Sequence, residues 1–172
     1  MIYMGIDASS SCTGLCVFND RALVFYDKIK PKDKGKNYRE NACVILEQVE
    51  QIVQRYKPDV IFMEDVPQFV RQGSHGGNLV KPLITLGCVQ GVFYYELAYK
   101  LGYKIVFLDV YEWRKKLDFL KGERKRDKQK AKAVTYVNEL FGLNLYYQEG
   151  KKSVKDDDDI AEAICLVISE IK

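Results

Sequence analysis

The sequence predicts an α/β fold built on a mixed sheet, and three observations carry that expectation. Three apolar runs separated by short polar turns open the chain, Ile2–Ile6, Gly14–Phe18 and Ala22–Ile29, in the manner of a β-meander. Two later apolar runs, Val60–Glu64 and Lys104–Asp109, each follow a stretch of helical periodicity. The resulting order, β-β-β-α-β-α-β-α-α, three meandering strands followed by alternating strands and helices, gives an α/β fold with a mixed sheet.

Each element has its own local reason. Ser9-Ser10-Ser11 is a polar turn after the first strand, and Asn19-Asp20 is a tight turn between the second and third. Pro31–Gly35 is a loop. Tyr38–Tyr56 carries Val44, Ile45, Val49, Ile52 and Val53 at helical spacing, and Lys57-Pro58-Asp59 ends it. Asp65–Asn78 is a glycine-rich loop, and a long helix is expected over Leu79–Leu101, with Gly87 and Gly91 four apart on one face. One or two helical turns fit Tyr111–Leu117. The next helix, Asp127–Phe141, is expected to turn Ala131, Val134, Val137, Leu140 and Phe141 inward. After a polar loop, Gly142–Lys155, the last helix opens in an aspartate run and buries Ile160, Ile164, Val167, Ile168 and Ile171.

Composition bounds the class. A chain of 172 residues, 47% hydrophobic and 30% charged, suits one packed domain spanning 1–172. The net charge is only +3, but the ten cationic and three acidic residues from Trp113 to Lys132 give that segment +7. Five scattered cysteines with no CxxC pair, and a single histidine, exclude a His-rich zinc site and suit free buried thiols in a reducing compartment. No basic leader with a long apolar run opens the chain, and no stretch approaches a membrane span; a cytoplasmic location is expected.

The carboxylates point to chemistry. Asp7 and Glu64 each end an apolar strand, and Asp156–Asp159 open the last helix. A carboxylate at the end of a buried strand is costly without a compensating charge. Several such positions far apart in sequence suggest one shared compensator, and oxygen-only ligands suit magnesium or manganese rather than zinc. Two-metal phosphodiester cleavage needs cations about 3.5–4 Å apart, held by carboxylates on rigid supports. Asp156 and Asp159 lie three apart, on one face of a first helical turn. Plain turn formation and N-capping are the competing uses of these acids, and Asp159 with Glu162 has capping-box spacing.

Four short motifs, in order along nearly the whole chain, carry a family resemblance. Gly5-Ile6-Asp7-Ala8-Ser9 with Thr13-Gly14, then Glu64-Asp65-Val66-Pro67-Gln68-Phe69, then Leu86-Gly87-Cys88-Val89-Gln90-Gly91-Val92, then Asp156 to Asp159-Ile160-Ala161-Glu162-Ala163, resemble those of RuvC-type Holliday junction resolvases. The resemblance implies a ribonuclease H-like fold, α/β, with a five-stranded mixed sheet and helices on both faces. It also implies a crossover junction endodeoxyribonuclease that nicks branched DNA and leaves 5′-phosphate ends. Its metal ligands fall on Asp7, Glu64, Asp156 and Asp159, for two Mg²⁺ per active site with Mn²⁺ as a substitute. The run of four aspartates leaves the register open, so Asp157 or Asp158 could stand in for Asp156. Lys128 matches the catalytic cation, with Arg114 or Lys115 second.

For DNA, Phe69 matches an aromatic that stacks on bases at the junction centre, with Arg71 beside it. Arg114, Lys115, Lys121, Arg124, Lys125, Arg126 and Lys130 supply backbone contacts, which read no sequence themselves. The implied partners are branched DNA (four-way junctions, flaps and forks) and a second copy of the chain in a homodimer through the Gly87/Gly91 helix; no membrane is implied. The location would be the bacterial host cytoplasm for a phage-encoded chain. Alternatives are a ribonuclease H-like nuclease acting on other nucleic-acid structures and a non-catalytic junction-binding protein. The acidic set argues against the latter, because it repels phosphates.

Overall fold

The first strand, β1 (Ile2–Asp7), becomes the centre of the sheet because Met4, Gly5 and Ile6 are apolar and buried on both faces. The structure, a computed structural model, describes residues 1–31, 37–66, 80–117, 123, 125–150 and 155–171. β2 (Thr13–Asn19) pairs antiparallel to β1, and β3 (Ala22–Ile29) antiparallel to β2. Asp20, in the left-handed region at φ 51°, makes the two-residue turn between them. On the other side, β4 (Val60–Glu64) pairs parallel to β1, and β5 (Ile105–Leu108) parallel to β4. The order is β3-β2-β1-β4-β5, a five-stranded mixed sheet as the element order predicted.

The helices are α1 (Tyr38–Tyr56), α2 (Val80–Phe93), α3 (Val110–Lys116), α4 (Arg126–Phe141) and α5 (Asp158–Ile168). Asn37 caps α1 by accepting from the N–H groups of Arg39 and Glu40, and Lys57 closes it in the left-handed region. α2 was expected to continue to Leu101 as an α-helix; instead it passes into π-helical turns over Tyr94–Lys100. Val89, Phe93 and Leu97, each four apart, are fully buried. An α-helix overshoots one turn in four residues and the wider π turn undershoots it, so the change keeps all three facing the sheet.

Two apolar layers cover the two faces of the sheet. Met4, Ile6, Leu15, Val17, Ile61 and Met63 pack against α1, α2 and the π-helical turns. On the opposite face Cys16, Phe18, Val60 and Phe62 pack against α3, α4 and α5. α5 is buried all round from Ile160 to Val167, the mark of a helix inside the core rather than on it. It comes that close because Gly5 and Gly14 lack side chains. A Cβ at Gly5 would lie 2.1 Å from the Ala163 carbonyl oxygen, and one at Gly14 1.9 Å from that of Asp159. The Cys16 thiol donates to the same Ala163 oxygen at 3.2 Å.

Two expectations about side chains change. Leu140 is 51% exposed and Ala133, not Ala131, is buried. The inward face of α4 runs through Lys130, Ala133, Val134, Val137 and Phe141, the last packed edge-on to Phe18. Of the cysteines, all free, Cys16 and Cys165 are buried, Cys12 and Cys88 half-buried, and Cys43 is exposed on α1.

Candidate active site

β1 and β4 run side by side in the same direction, so Asp7 and Glu64 emerge together at their carboxyl ends, the usual place for a ligand in an open α/β sheet. Asp7 is paired across the sheet with Gly14. The backbone of Asp159 fills the space where a Gly14 side chain would be, and this sets the start of α5 next to Asp7. Burial pushes the Asp7 carboxyl well above the usual carboxylate range, reinforced by the charges of Glu162, Glu64 and Asp159 and opposed by Lys130. Burial and then Glu162 push Glu64 up to about 7, against the pull of Arg114 and a hydrogen bond from Trp113. Asp159 is raised by burial and by Asp158, while the Cys12 thiol hydrogen-bonds to its carboxylate and lowers it. Asp7, Glu64, Asp159 and Glu162 thus form one mutually repelling group.

Neighbouring side chains orient the members. The Trp113 indole N–H donates to Glu64 Oε2 at 3.3 Å, and the buried Gln90 of α2 donates to the Glu64 carbonyl oxygen. Arg114 lies 4.9 Å from the Trp113 ring and donates to Gln129 at 2.9 Å and to Glu162 Oε1 at 2.7 Å. Its Nε is buried without a partner among the described residues. Lys130 bridges Asp158 and Glu162, the latter at 3.6 Å. Burial works against the Lys130 charge, but Glu162 and Asp158 more than offset it and hold the ammonium above its usual range.

The sequence assignments fall on both sides of this geometry. Asp7, Glu64 and Asp159 come together as expected. Asp156 does not join them: it is buried beside the polar loop and accepts from the Gln148 N–H at 3.3 Å. Asp157 caps nothing; its carboxylate holds Lys28 and the Tyr146 N–H. Asp158 holds Lys130. The fourth carboxylate of the group is Glu162, three residues after Asp159 and so one helical turn along the same face. Asp159-Ile160-Ala161-Glu162 has the same acid-x-x-acid spacing as Asp156–Asp159, so the signal was present one step later in the sequence.

Lys128, expected at the reaction centre, is exposed, and Lys130 lies against the carboxylates instead because it is on the inward face of α4 with Ala133 and Val134. Lys128, Lys125 and Arg126 instead line a shallow groove with Glu149 and Gly150. Arg114, expected to bind DNA, is tied to Glu162, and Lys115 is exposed beside Tyr111. Phe69, Arg71, Lys121 and Arg124 lie outside the described residues. Cys12 and Trp113 were not anticipated; no motif marked either one.

The donor set is all oxygen and its repulsion is incompletely compensated, which fits a hard divalent cation. Among the described residues no three such side chains are arranged to ligate one ion together, and Lys130 and Arg114 sit against the carboxylates.

Comparison with solved structures places the fold. A Thermus thermophilus RuvC, solved in complex with a Holliday junction substrate, superposes with a TM-score of 0.67 at 16% identity, over 98% of this chain and 92% of that one. A fowlpox virus resolvase, in complex with Holliday junction DNA, matches with a TM-score of 0.53 at 17% identity, over 99% and 97%. The yeast mitochondrial Holliday junction resolvase matches with 0.60 at 14% identity, over 98% and 77%. The chain has the ribonuclease H-like fold of RuvC-type resolvases. No family model matches its sequence, and no curated protein does. The fold is thus shared at an identity where comparison of sequences finds no match. No helix among the described residues is long and apolar enough to cross a membrane.

Proposed function

We propose that this protein is a divalent-metal-dependent endonuclease that nicks branched DNA, four-way junctions first among them. The observation that carries the reading is the gathering of Asp7, Glu64, Asp159 and Glu162 at the carboxyl ends of β1 and β4, with Lys130 and Arg114 against them. The likeness to resolvases solved with Holliday junction DNA supports the choice of substrate. The four carboxylates would hold two Mg²⁺ ions, with Mn²⁺ as a substitute. Bound there, the ions supply an activated water and offset charge on the leaving oxygen.

The chain's own residues do the remainder. Trp113 and Gln90 fix the Glu64 side chain and its strand end, Arg114 fixes Glu162, and the Cys12 thiol steadies Asp159. Lys130 is the cation best placed to stabilise negative charge building on a phosphate at this group. Lys115, Lys125, Arg126 and Lys128 are exposed and open to DNA backbones, and the sequence positions Lys121 and Arg124 are assigned the same role; Phe69 and Arg71 are assigned to the strained bases near the branch point. A homodimer brings two such sites to one junction. A Cβ added at Gly87 or Gly91 would meet nothing within 4 Å, and Ile84 and Tyr95, 55% and 53% exposed, flank them, so that face is open to a second copy.

The test is a gel assay on a labelled four-way junction, a flap and plain duplex with Mg²⁺ or EDTA. Paired, Mg²⁺-dependent nicks across the junction support the reading. Junction binding without nicking in Mg²⁺ or Mn²⁺ would replace it with the non-catalytic one.

A further inference from the structure

A cavity of about 500 Å³ opens between the turn after β1 and the first turns of α2. Ser9 and Ser10 form one wall and Lys81 and Thr85 the other, over a floor that includes Leu86 and Val89. Its position is tied to the reaction centre twice. Ser9 lies two residues beyond Asp7, and Val89 precedes Gln90, whose amide holds the Glu64 carbonyl.

The lining is mostly apolar, with hydroxyls on the rim and one cation. Ser9 is committed to the turn, exchanging hydrogen bonds with Thr13 and Ser11, and Thr85 bonds back to the Lys81 carbonyl. Lys81 is exposed, and neither it nor Ser10 makes a side-chain hydrogen bond among the described residues. A track for DNA backbone would need several cations; this cavity has one, enough for a single phosphate. An apolar floor suits a base or sugar withdrawn from its stack, and the volume lies in the range of small-ligand sites.

We propose that the cavity receives one unstacked nucleotide, adjacent to the phosphate at Asp7 and Glu64, with Lys81 on its own phosphate and its base over Leu86 and Val89. The assignment rests on the nuclease reading and adds a specificity determinant to it. Extruding a nucleotide costs least where it is already unpaired. The cavity therefore selects branch points over plain duplex.

The test uses the full chain carrying Asp7→Asn with Mg²⁺ on four-way junctions. Each junction bears 2-aminopurine at one position on either side of the cut mapped with wild type. The expected result is a fluorescence rise of about threefold or more at a single position next to the cut, since an unstacked base is no longer quenched. Filling the cavity from either wall, with Thr85→Phe or Ser10→Trp, abolishes the rise while junction affinity stays within about threefold, because backbone contacts supply most of it. Lys81→Ala lowers the slope of log affinity against log salt by about one. That surface substitution keeps the assignment falsifiable if a filled variant does not fold.

A rise that survives both filled variants, or no localised rise on a junction that is bound and cut, overturns the cavity assignment and leaves the nuclease reading intact. An unchanged salt slope in Lys81→Ala overturns the phosphate contact. Failure of wild type to bind or cut any junction overturns both readings.

Discussion

The two faces of the sheet are built differently. The α1/α2 face is an ordinary apolar layer: Ile45, Val49, Val53, Val89, Phe93 and Leu97 meet Met4, Ile6, Ile61 and Met63. The α3/α4/α5 face carries a comparable apolar layer, but its upper edge buries Asp158 and Glu162 and holds Lys130 and Arg114 against them. The first face is specified by side-chain volume. The second is specified by two missing side chains, at Gly5 and Gly14, and by a balance of opposed charges. The face that carries the acidic group is thus also the one where stability is given up, since buried like charges are costly without a cation.

The two faces differ most at the acidic group. Asp7→Asn is expected to lower the nicking rate by a factor of about 10³ while junction binding persists, measured by single-turnover cleavage beside a binding titration. Full activity in that variant would remove the group from the chemistry. Glu162→Gln is expected to cost about 100-fold in the same assay, and Asp156→Asn less than about fivefold, since its amide oxygen can still accept from the Gln148 N–H. The reverse order would restore Asp156 as Asp159's partner.

Packing separates the faces next. A Cβ at Gly14 would collide with backbone, which cannot step aside as a flexible side chain does. Gly14→Ala is expected to destabilise by about 3 kcal/mol or more and to cut activity with it, by moving α5 away from β1. Val49→Ala, on the other face, is expected to cost about 2–3 kcal/mol through its cavity and to leave the turnover of the folded fraction unchanged. Denaturant unfolding together with active-site titration measures both.

The smallest effect is on pH. Glu64 titrates at about 7 in the folded protein against about 4.3 unfolded, and Asp7 and Asp159 are raised as well. Groups raised by folding bind protons more tightly in the native state. Their contribution is complete below about pH 4 and is lost as pH rises through the folded values. The metal-free protein should therefore lose on the order of 2–3 kcal/mol between pH 5 and 8, as judged against Asp7→Asn, in which the loss should shrink. Added Mg²⁺ should flatten the slope in wild type. A slope equal in both proteins would mean that the carboxylates are not coupled.

Much of this architecture was legible in the chain. Helix Tyr38–Tyr56 was predicted to the residue, because Val44, Ile45, Val49, Ile52 and Val53 fall at helical spacing and Lys57-Pro58-Asp59 ends it. Asp7 and Glu64 were legible because a carboxylate closing an apolar strand violates the local pattern. The π-helical turns were not, since i+4 spacing alone does not distinguish them from an α-helix.

The order of strands and helices, and with it a mixed sheet, follows from the sequence alone, as does the place of Asp7 and Glu64 at the ends of their strands. Packing settles that these two strands lie side by side, and which acids and which lysine complete the group. In a run of four aspartates every register has a carboxylate, so local pattern cannot choose among them. The choice comes from where Gly14 lets α5 approach β2, which sets Asp159 and Glu162 toward β1 and leaves Asp156 to the loop. In the same way Lys128 and Lys130 are equivalent as charges, and differ only because α4 turns one of them toward α5 and the other to solvent.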